Sequence, residues 1–213
     1  MSPRVADPAV ADALVEVGAR LIAEHEPLST RRLAAELGVS TSAVYTHFGS
    51  MDELRRAVCR VGFERLAAYQ TSYEPTDDPV DDLAKQGWAY CRNALTNPNM
   101  YRVMFMEALI EDGAEIGLYT FEMLVGQVQK CIEAGRFDRG DAWEMATQLW
   151  AATHGVVALH LAGMIDAENV DRLVTRMARA LFVEFGDSPD DVDASFARAG
   201  EWVMTQSAAA AST

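Results

Sequence analysis

Five hydrogen-bonding side chains fall within seven residues of the sequence: Thr41, Ser42, Tyr45, Thr46 and His47. In a helix that begins near Thr41, these side chains look outward, while Val44 and Phe48, four residues apart, turn inward. The major groove of B-DNA admits one α-helix, whose first residues reach base edges while hydroxyl groups contact phosphates. The spacing therefore indicates a helix that reads DNA.

A second short helix precedes this candidate reader helix and ends in a glycine turn. Ser29 or Thr30 can cap its beginning, and Gly38 stands where a left-handed residue commonly ends a helix. Ser40 or Thr41 can then cap the reader helix. Such a pair is the arrangement that places one helix in a groove of DNA. An ordinary helical hairpin without DNA contacts is an open alternative at this stage.

Two further helix signals flank this pair. Asp7-Pro8 combines a capping side chain with a first-turn proline and predicts a helix that ends near His25. Residues 50–53 fit the capping-box pattern and predict a longer helix from Asp52 to about Tyr69. The first part of the chain is therefore expected to contain three short helices and one connecting helix.

Residues 10–69 resemble the N-terminal domain of the TetR (tetracycline-repressor-like) family of transcriptional regulators. The resemblance rests on the order of the elements and on the segment LSTRRLAAELGVSTSAVYTHFGSMDEL. Within that segment, the Gly38-Val39 turn and the Tyr45-x-His47-Phe48 end of the reader helix are the most specific features. The resemblance implies a helix-turn-helix domain that binds DNA.

The resemblance also implies which side chains contact DNA. Four are expected to approach base edges or the thymine methyl group: Thr41, Ser42, Ala43 and Thr46. Four others are expected to hold phosphates or neighbouring bases: Thr30, Arg31, Tyr45 and His47. For each of them, a solvated helix face is the alternative.

One position departs from the pattern of the family. Family members often carry Lys at the third position after the Phe of the reader helix, where it reaches a phosphate, whereas this chain has Met51. Affinity can depend instead on arginines elsewhere in the domain, namely Arg4, Arg31, Arg32 or Arg55. Arg55 and Arg56 can equally form a solvated helix face.

Acidic residues are unevenly distributed along the chain. The formal net charge is −14 over 213 residues, but residues 1–70 hold 8 basic and 9 acidic residues, so the excess acid lies in the remainder. Residues 29–65 carry six Arg and four acidic residues. Affinity for DNA is therefore expected to depend on local geometry and a few phosphate contacts, with weak non-specific binding.

Motifs for catalysis, metal binding and export are absent from the sequence. It has no Gly-rich phosphate loop, no GxSxG and no HExxH, so we expect no catalytic residues and no enzyme activity. The three cysteines are isolated and the histidines lack the spacing of helical metal ligands, so no metal and no cofactor is expected. The odd cysteine count and the lack of an apolar signal core predict a reduced, cytoplasmic setting.

A linker rich in Pro and acidic residues, 71–78, precedes an all-helical remainder. The cap-and-proline signal recurs at Asp78-Pro79, Asn97-Pro98 and Ser188-Pro189. Helices are predicted over about 79–96, 98–110 and 115–134, and Gly135 is predicted to end the third.

The stretch from Met145 to Ile165 has 21 residues without a formal charge. We do not expect it to span a membrane, because polar residues interrupt it and no Lys or Arg cluster flanks it. Its helix is apolar on two faces: Met145, Leu149, Ala152, Val156 and Leu159 on one, and Trp143, Trp150, Val157 and Met164 on the other. One face is expected to pack in its own domain and the other on a second copy, so that helices at about 141–163 and 166–185 build a homodimeric four-helix bundle.

The second part of the chain resembles the ligand-binding domains of a TetR subgroup marked by Trp, His and Gly on one bundle helix. Trp150-x-x-x-His154-Gly155 and the stretch NPNMYRVMF carry this resemblance. It implies a pocket for a small effector, which should be mostly apolar. Tyr90, Met106 and Phe121 are candidates to line it, together with seven residues that we favour: Tyr101, Met104, Phe105, Tyr119, Met123, Trp150 and His154. Each can instead be an ordinary core residue.

Together these features predict an all-α chain of nine to ten helices. Residues 8–69 are expected to form the three-helix DNA-binding domain, with the helix-turn-helix motif at about 29–48, and residues 79–207 the ligand-binding and dimerisation domain. We expect a repressor that binds a palindromic double-stranded operator as a homodimer and is released by an apolar or aromatic small molecule. A structural DNA-binding protein without an effector and a helical enzyme are the alternatives.

Overall fold

Helices make up nearly all of the regular structure in the part of the chain that the structure, a computed structural model, describes. That part is residues 7–106 and 113–210, without the side chains of residues 113, 114, 116 and 206–210. It contains ten α-helices and no strand, which confirms the predicted all-α class. Contacts divide the chain into two units: Met1–Arg65 with Asn97–Leu118, and Leu66–Thr96 with Tyr119–Thr213.

The helices follow one another with short connections. The first five are α1 (Pro8–Ala23), α2 (Thr30–Leu37), α3 (Ser42–Phe48), α4 (Met51–Gln70) and α5 (Pro79–Thr96). The second five are α6 (Pro98–Phe105), α7 (Gly113–Glu133), α8 (Ala142–Leu161), α9 (Ala167–Glu184) and α10 (Pro189–Ala210). The grouping by contacts places α6 in the first unit, while the domain limits 8–69 and 79–207 stay predictions.

Capping side chains determine where two helices of the first unit begin. The Asp7 carboxylate accepts a hydrogen bond from the backbone N–H of Ala9 at 3.0 Å, and Pro8 follows it at the first helical position. The Ser50 hydroxyl accepts from the backbone N–H of Glu53 at 3.0 Å, just before α4. Both predicted helix starts are confirmed.

A small apolar core holds the first unit together. α2, α3 and α6 each pack on α1, and α4 supplies further buried side chains. The fully buried members are Leu14, Leu21, Leu33, Val44, Leu54 and Val58. Because every helix of this core contributes buried side chains, each of the short helices depends on the others for its stability.

The second unit is built around α5, which packs against α8, α9 and α10. Unusually for a central helix, α5 buries charged side chains, among them Asp81, Asp82 and Lys85. The Lys85 ammonium lies 2.7 Å from the Asp81 carboxylate, and the Thr76 backbone N–H and hydroxyl donate to Asp82. Buried charges require such partners. The hydrogen bonds from Thr76 to Asp82 therefore hold the linker against the beginning of α5.

A network around Arg136 joins distant segments of the second unit. The Arg136 guanidinium binds Asp187 through two hydrogen bonds of 2.9 and 2.7 Å, and it also lies 2.7 Å from the Asp78 carboxylate. Burial by itself would raise the pKa of Asp78, but hydrogen bonds from Ser195 and Arg198 hold it below its usual value. The beginning of α5, the end of α7 and the α9 to α10 connection are thereby tied together.

Three helix ends differ from the prediction. α6 ends at Phe105 and Met106 lies in a turn, so the predicted end near residue 110 is wrong, although 107–110 themselves lie outside the described residues. Thr41 precedes α3 in a helical conformation without a side-chain capping bond. The Asn97 side chain likewise makes no cap and instead accepts a hydrogen bond of 3.4 Å from Arg65.

Helix α8 carries the uncharged stretch, and none of the described helices is both long and apolar enough to cross a membrane. Each of its two apolar faces has buried and exposed members. Leu149 and Val156 are buried on the first face while Leu159 is exposed, and Val157 is buried on the second while Trp143 is exposed. The single chain therefore leaves apolar surface uncovered near both ends of α8.

Replacing Arg136 by Met is expected to lower the free energy of unfolding by about 3 kcal/mol, because Asp187, whose side chain is 3% exposed, loses its bidentate partner. The exposed Arg139 on the same connection is a matched control, and Arg139→Met should stay within about 0.5 kcal/mol of the unchanged chain. Urea denaturation at equal protein concentration measures both. Equal stability of the two variants would contradict this role of Arg136.

Candidate DNA-binding surface and ligand-binding region

One buried side chain fixes the rotation of helix α3 about its own axis. Val44 is fully buried and Phe48 packs partly on the same core, so the opposite side of the helix faces outward. Of the predicted base-contacting residues, Thr41, Ser42 and Thr46 are exposed and Ala43 is half-buried. These four residues lie within six consecutive positions.

Tyr45 and His47 adjoin this exposed surface. The Tyr45 ring is 57% exposed, which is high for a large aromatic side chain, and His47 is half-buried beside Phe48. Of the other two predicted phosphate contacts, Thr30 is half-buried in the first turn of α2 and Arg31 is exposed next to it. Their contact with DNA stays a prediction.

Hydroxyl groups on α3 are already engaged with each other and with the helix. The Thr46 hydroxyl donates to the backbone carbonyl of Ser42 at 3.0 Å, one turn earlier. The Ser42 and Ser40 hydroxyls lie 2.8 Å apart and share a hydrogen bond. The sequence predicts Ser40 only as a possible helix cap, whereas the structure places its hydroxyl against that of Ser42.

The turn between α2 and α3 has the geometry that the sequence predicted. The Ser29 hydroxyl accepts from the backbone N–H of Arg32 at 3.3 Å and so caps α2. Gly38 ends α2 with a φ of +65°, in the left-handed region that L side chains rarely adopt. The chain can therefore reverse within a few residues and bring α3 back onto α1.

Acidic partners hold most arginines around α2. Arg32 lies 2.7 Å from Glu26 and 2.6 Å from Glu36, and Arg20 also binds Glu36. Hydrogen bonds from Arg32 and Arg20 lower the pKa of the Glu36 carboxyl. Arg31, by contrast, is exposed and takes part in none of these ion pairs or in any other between described residues. Arg31 is therefore better placed than Arg32 to bind a phosphate.

The arginines at the start of α4 are paired as well. Arg55 lies 2.8 Å from Asp52, and Arg56 lies 2.6 Å from Glu53. These pairs are three residues apart on one helix and are partly exposed, so they are weak and can open for a stronger partner. Arg4, also considered for phosphate contact, lies outside the described residues.

Three aromatic side chains of the second unit meet around the Tyr90 hydroxyl. The Trp150 indole N–H donates to the Tyr90 oxygen at 3.3 Å, and His154 Nδ1 lies 3.2 Å from the same oxygen. Burial lowers the pKa of His154 and favours its neutral form, which can accept the Tyr90 hydroxyl proton at Nδ1. Trp150, Tyr90 and His154 thus form a chain of hydrogen bonds inside an apolar region.

Other ligand-binding candidates of the second unit lie near these three hydrogen-bonded side chains or at the surface. The Phe121 ring contacts both Trp143 and Trp150 edge to face, with centroids 4.9 and 6.0 Å apart. Met123 is half-buried, and Tyr119 is 39% exposed. The aromatic set is larger than the Trp-x-x-x-His-Gly motif alone, because α5 and α7 contribute to it.

Tyr101, Met104 and Phe105 lie in the first unit and are tightly packed there. The Tyr101 and Phe105 rings have centroids 4.9 Å apart. A Cβ on Gly62 would lie 2.6 Å from the Met104 sulfur, so the space around this side chain is filled. The structure thus describes these three candidates in one unit and Tyr119, Met123, Trp150 and His154 in the other, and their ligand role stays a prediction.

An acidic cleft on the second unit has a different character. Its volume is about 260 Å³, and Asp138, Asp141, Glu144 and Glu184 contribute to its walls. None of the predicted ligand-binding residues lines it. Its charge does not suit an apolar ligand.

All three cysteines are buried and unsuited to redox sensing. Burial raises the pKa of the Cys59 thiol to about 11 and that of Cys91 to about 12, and it also raises the pKa of Cys131. The thiolate is the reactive form of cysteine, so at neutral pH these thiols are largely inert. Within the described ranges, no cluster of His, Cys, Asp and Glu could hold a metal ion.

Two family models match the chain. Residues 14–58 match the model described as "Bacterial regulatory proteins, tetR family". Residues 83–181 match the one described as "Tetracyclin repressor-like, C-terminal domain". The first match contains α2 and α3 in full, and the second contains Tyr90, Trp150 and His154.

The chain is also similar to individual proteins and solved structures. Over 156 residues, the chain is 26% identical to an uncharacterised HTH-type transcriptional regulator of Mycobacterium tuberculosis, covering 73% of this chain and 71% of that protein. A structure from Rhodococcus sp. RHA1, of unknown function, is 25% identical with a TM-score of 0.72 and covers 88% of this chain and 100% of its own. The structure of RolR with resorcinol is 16% identical with a TM-score of 0.60, covering 90% and 94%.

The folded protein is expected to react slowly with iodoacetamide at pH 7.5, because Cys59 and Cys91 are buried with thiol pKa values of about 11 and 12. In urea, all three thiols should react within the time that a free cysteine peptide needs. Mass spectrometry of timed samples counts the modified residues. Rapid alkylation of any cysteine in the folded protein would contradict the burial described above.

Proposed function

We propose that this chain, which belongs to the TetR family of transcriptional regulators, represses transcription by binding a palindromic operator as a homodimer. The two family matches together cover more than half of the chain, and regulators of this family bind DNA and are not enzymes. The observation that carries the proposal is the orientation of α3. Its Val44 is buried in the core, and its polar side chains face outward. The cytoplasm, where DNA is accessible, is the proposed place of action.

Dimerisation is proposed to occur through α8 and α9. These two helices pack on each other within the chain, so two copies can form a four-helix bundle. Large apolar side chains stay exposed in the single chain on α8 and α9 and on the connection between them: Trp143, Leu159, Met164 and Met177. A twofold interface over this surface would cover them and fix the two copies of α3 relative to each other.

Geometry then determines which DNA the dimer binds. Two reader helices about 34 to 36 Å apart enter successive major grooves on one side of the duplex. Because the excess acid lies outside the first seventy residues, the overall charge of −14 opposes non-specific binding more than binding at a matched site. The dimer should therefore discriminate strongly between its operator and other DNA.

The proposed effector is an apolar or aromatic small molecule that binds in the second unit. Tyr90, Trp150 and His154 supply an aromatic wall with a few hydrogen-bonding groups, which is the usual composition of such sites. RolR, which shares the fold, has been solved with the aromatic diol resorcinol. A structural DNA-binding protein without an effector stays the competing proposal, and the effector experiment below separates the two.

Release from DNA is proposed to follow from differential binding. An effector that prefers a dimer with a different α3 spacing must weaken operator binding by the same factor by which the operator weakens effector binding. Helix α4 is the proposed lever, because it is continuous from Met51, just after α3, to Gln70, just before the linker. A shift in one end of a helix is transmitted to the other without new contacts.

Arg31→Ala is expected to weaken operator binding, because the exposed Arg31 has no acidic partner among the described residues and can bind a phosphate. For each lost phosphate contact, the slope of log K against log salt should fall by about 0.9, or about 1.8 for a dimer. Fluorescence anisotropy from 50 to 300 mM salt measures the slope, with an operator identified by footprinting the region upstream of the chain's own gene.

Arg32→Ala is the matched control for Arg31. Its guanidinium is bound to Glu26 and Glu36, so its loss should leave the salt slope unchanged and slightly lower the stability of the first unit. The reverse pattern, with the slope changed by Arg32→Ala and not by Arg31→Ala, would show that the ion pairs open on DNA and that Arg31 is not the phosphate contact.

Aromatic compounds, with resorcinol and related phenols first, are expected to include one that stabilises the protein and weakens operator binding. A ligand at 100 times its Kd stabilises the folded state by about 2.7 kcal/mol, which a thermal-shift assay detects. The same compound should lower operator affinity by about 5-fold to 150-fold, as measured by anisotropy. Stabilisation without any change in operator affinity would argue against release by an effector, and no stabilising compound in a broad library would favour the structural alternative.

A further inference from the structure

Three buried side-chain oxygens of the second unit have no hydrogen-bond partner among the described residues. They are Gln70 Oε1, Asp81 Oδ1 and Gln86 Oε1. An acceptor that is buried without a donor costs free energy, so each such atom in a folded protein requires an explanation. The Asp81 carboxylate is still paired with Lys85 through its other oxygen. Of the two glutamines, Gln86 has neighbours that indicate what its oxygen binds.

Gln86 lies on the face of α5 that carries Tyr90. The two residues are four positions apart, so their Cβ atoms lie about 5–6 Å from each other on one side of the helix. The Tyr90 hydroxyl is bound to Trp150 and His154 of α8, so this side of α5 faces α8. Gln86 is only 3% exposed. Its amide is therefore inside the unit, one helical turn from the aromatic side chains.

Two donors of the aromatic group are already used within that group. The Trp150 indole N–H is directed to the Tyr90 oxygen at 3.3 Å. The Tyr90 hydroxyl proton is directed to Nδ1 of the neutral His154 at 3.2 Å. Neither proton is left for the oxygen of Gln86. A molecule bound against these rings can supply the donor that this oxygen lacks.

We propose that Gln86 determines which effectors bind, by selecting aromatic molecules that donate a hydrogen bond to its Oε1 atom through a hydroxyl or N–H group. With such a molecule bound, the oxygen is paired. With a hydrocarbon or an ether bound, it stays buried without a donor, and a site built around a polar group rejects ligands that lack the matching group. This inference rests on the proposed function, since it requires the effector to bind beside Tyr90.

A second buried glutamine provides a matched control. Gln127 on α7 is 6% exposed, and both ends of its amide are engaged. Its Nε2 donates to the Pro79 carbonyl at 2.9 Å, and its Oε1 accepts from the Lys130 ammonium at 3.2 Å. Methionine is an unbranched side chain without an amide. The same replacement therefore removes an unpaired oxygen at position 86 and two hydrogen bonds at position 127.

Thermal unfolding of the full-length protein, followed by circular dichroism without any added compound, compares the two variants. Gln86→Met is expected to raise the midpoint by about 2–4 °C, because an unpaired buried oxygen is removed from a chain of this size. Gln127→Met should lower the midpoint, because the Pro79 carbonyl and Lys130 lose their partner. A midpoint that is lowered by Gln86→Met would overturn the inference, since Oε1 would then be paired in the ligand-free protein.

Pairs of compounds that differ in one donor test the selection itself: phenol and anisole, 2-naphthol and 2-methoxynaphthalene, and indole and 1-methylindole. In isothermal titration calorimetry, the unchanged protein should bind the donor of a pair about 5-fold to 150-fold more tightly than its methylated partner. Gln127→Met should keep this preference, whereas Gln86→Met should bind both members of a pair nearly equally. A preference that persists in Gln86→Met would overturn the inference, because another group would then recognise the donor.

The outcome for the unchanged protein separates this inference from the proposed effector. If it binds aromatic compounds but binds donors and their methylated partners equally, selection by Gln86 fails while the aromatic effector stands. If it binds no member of any pair, both fail together, and operator binding is unaffected by that result.

Discussion

The inward packing of Val44 is the constraint on which the account of this protein depends. Helix α3 has only seven residues, too few to be stable alone, so its existence relies on the core formed with α1 and α4. With Val44 fully buried, the rotation of α3 about its axis is fixed, and the side chains from Thr41 to Thr46 that face outward are determined by helical geometry. A change of that one packing contact would present a different set of groups to DNA.

The second unit differs from the first because charged side chains are buried in its interior. Its central helix α5 buries charged side chains, and these are held by one another, as in the Lys85–Asp81 ion pair, or by Thr76 on the preceding linker. Buried ion pairs add little net stability but penalise arrangements that leave a charge unpaired. Tyr90 lies on the same helix, so a ligand bound at the aromatic group would contact the helix that carries these buried charges.

The sequence predicted well those features that depend on neighbouring residues. Caps such as Asp7 and Ser50 act within three residues, and the family motif around α3 is contiguous, so both could be recognised without a structure. The end of α6 at Phe105 could not, because helix propensity continues past it. The partners Arg136 and Asp187 are 51 residues apart and have no local signature. Which aromatic side chains fill the core and which line a cavity also depends on packing, which short sequence patterns do not determine.

Selection of bound sequences from random duplex DNA tests the central claim most directly. If two copies of α3, each set by Val44, enter successive major grooves, the enriched sequence should be a palindrome whose half-sites lie about 10 to 10.5 base pairs apart, centre to centre, or a multiple of that distance. Recovery of no enriched sequence, or of a single half-site without a symmetric partner, would contradict the account.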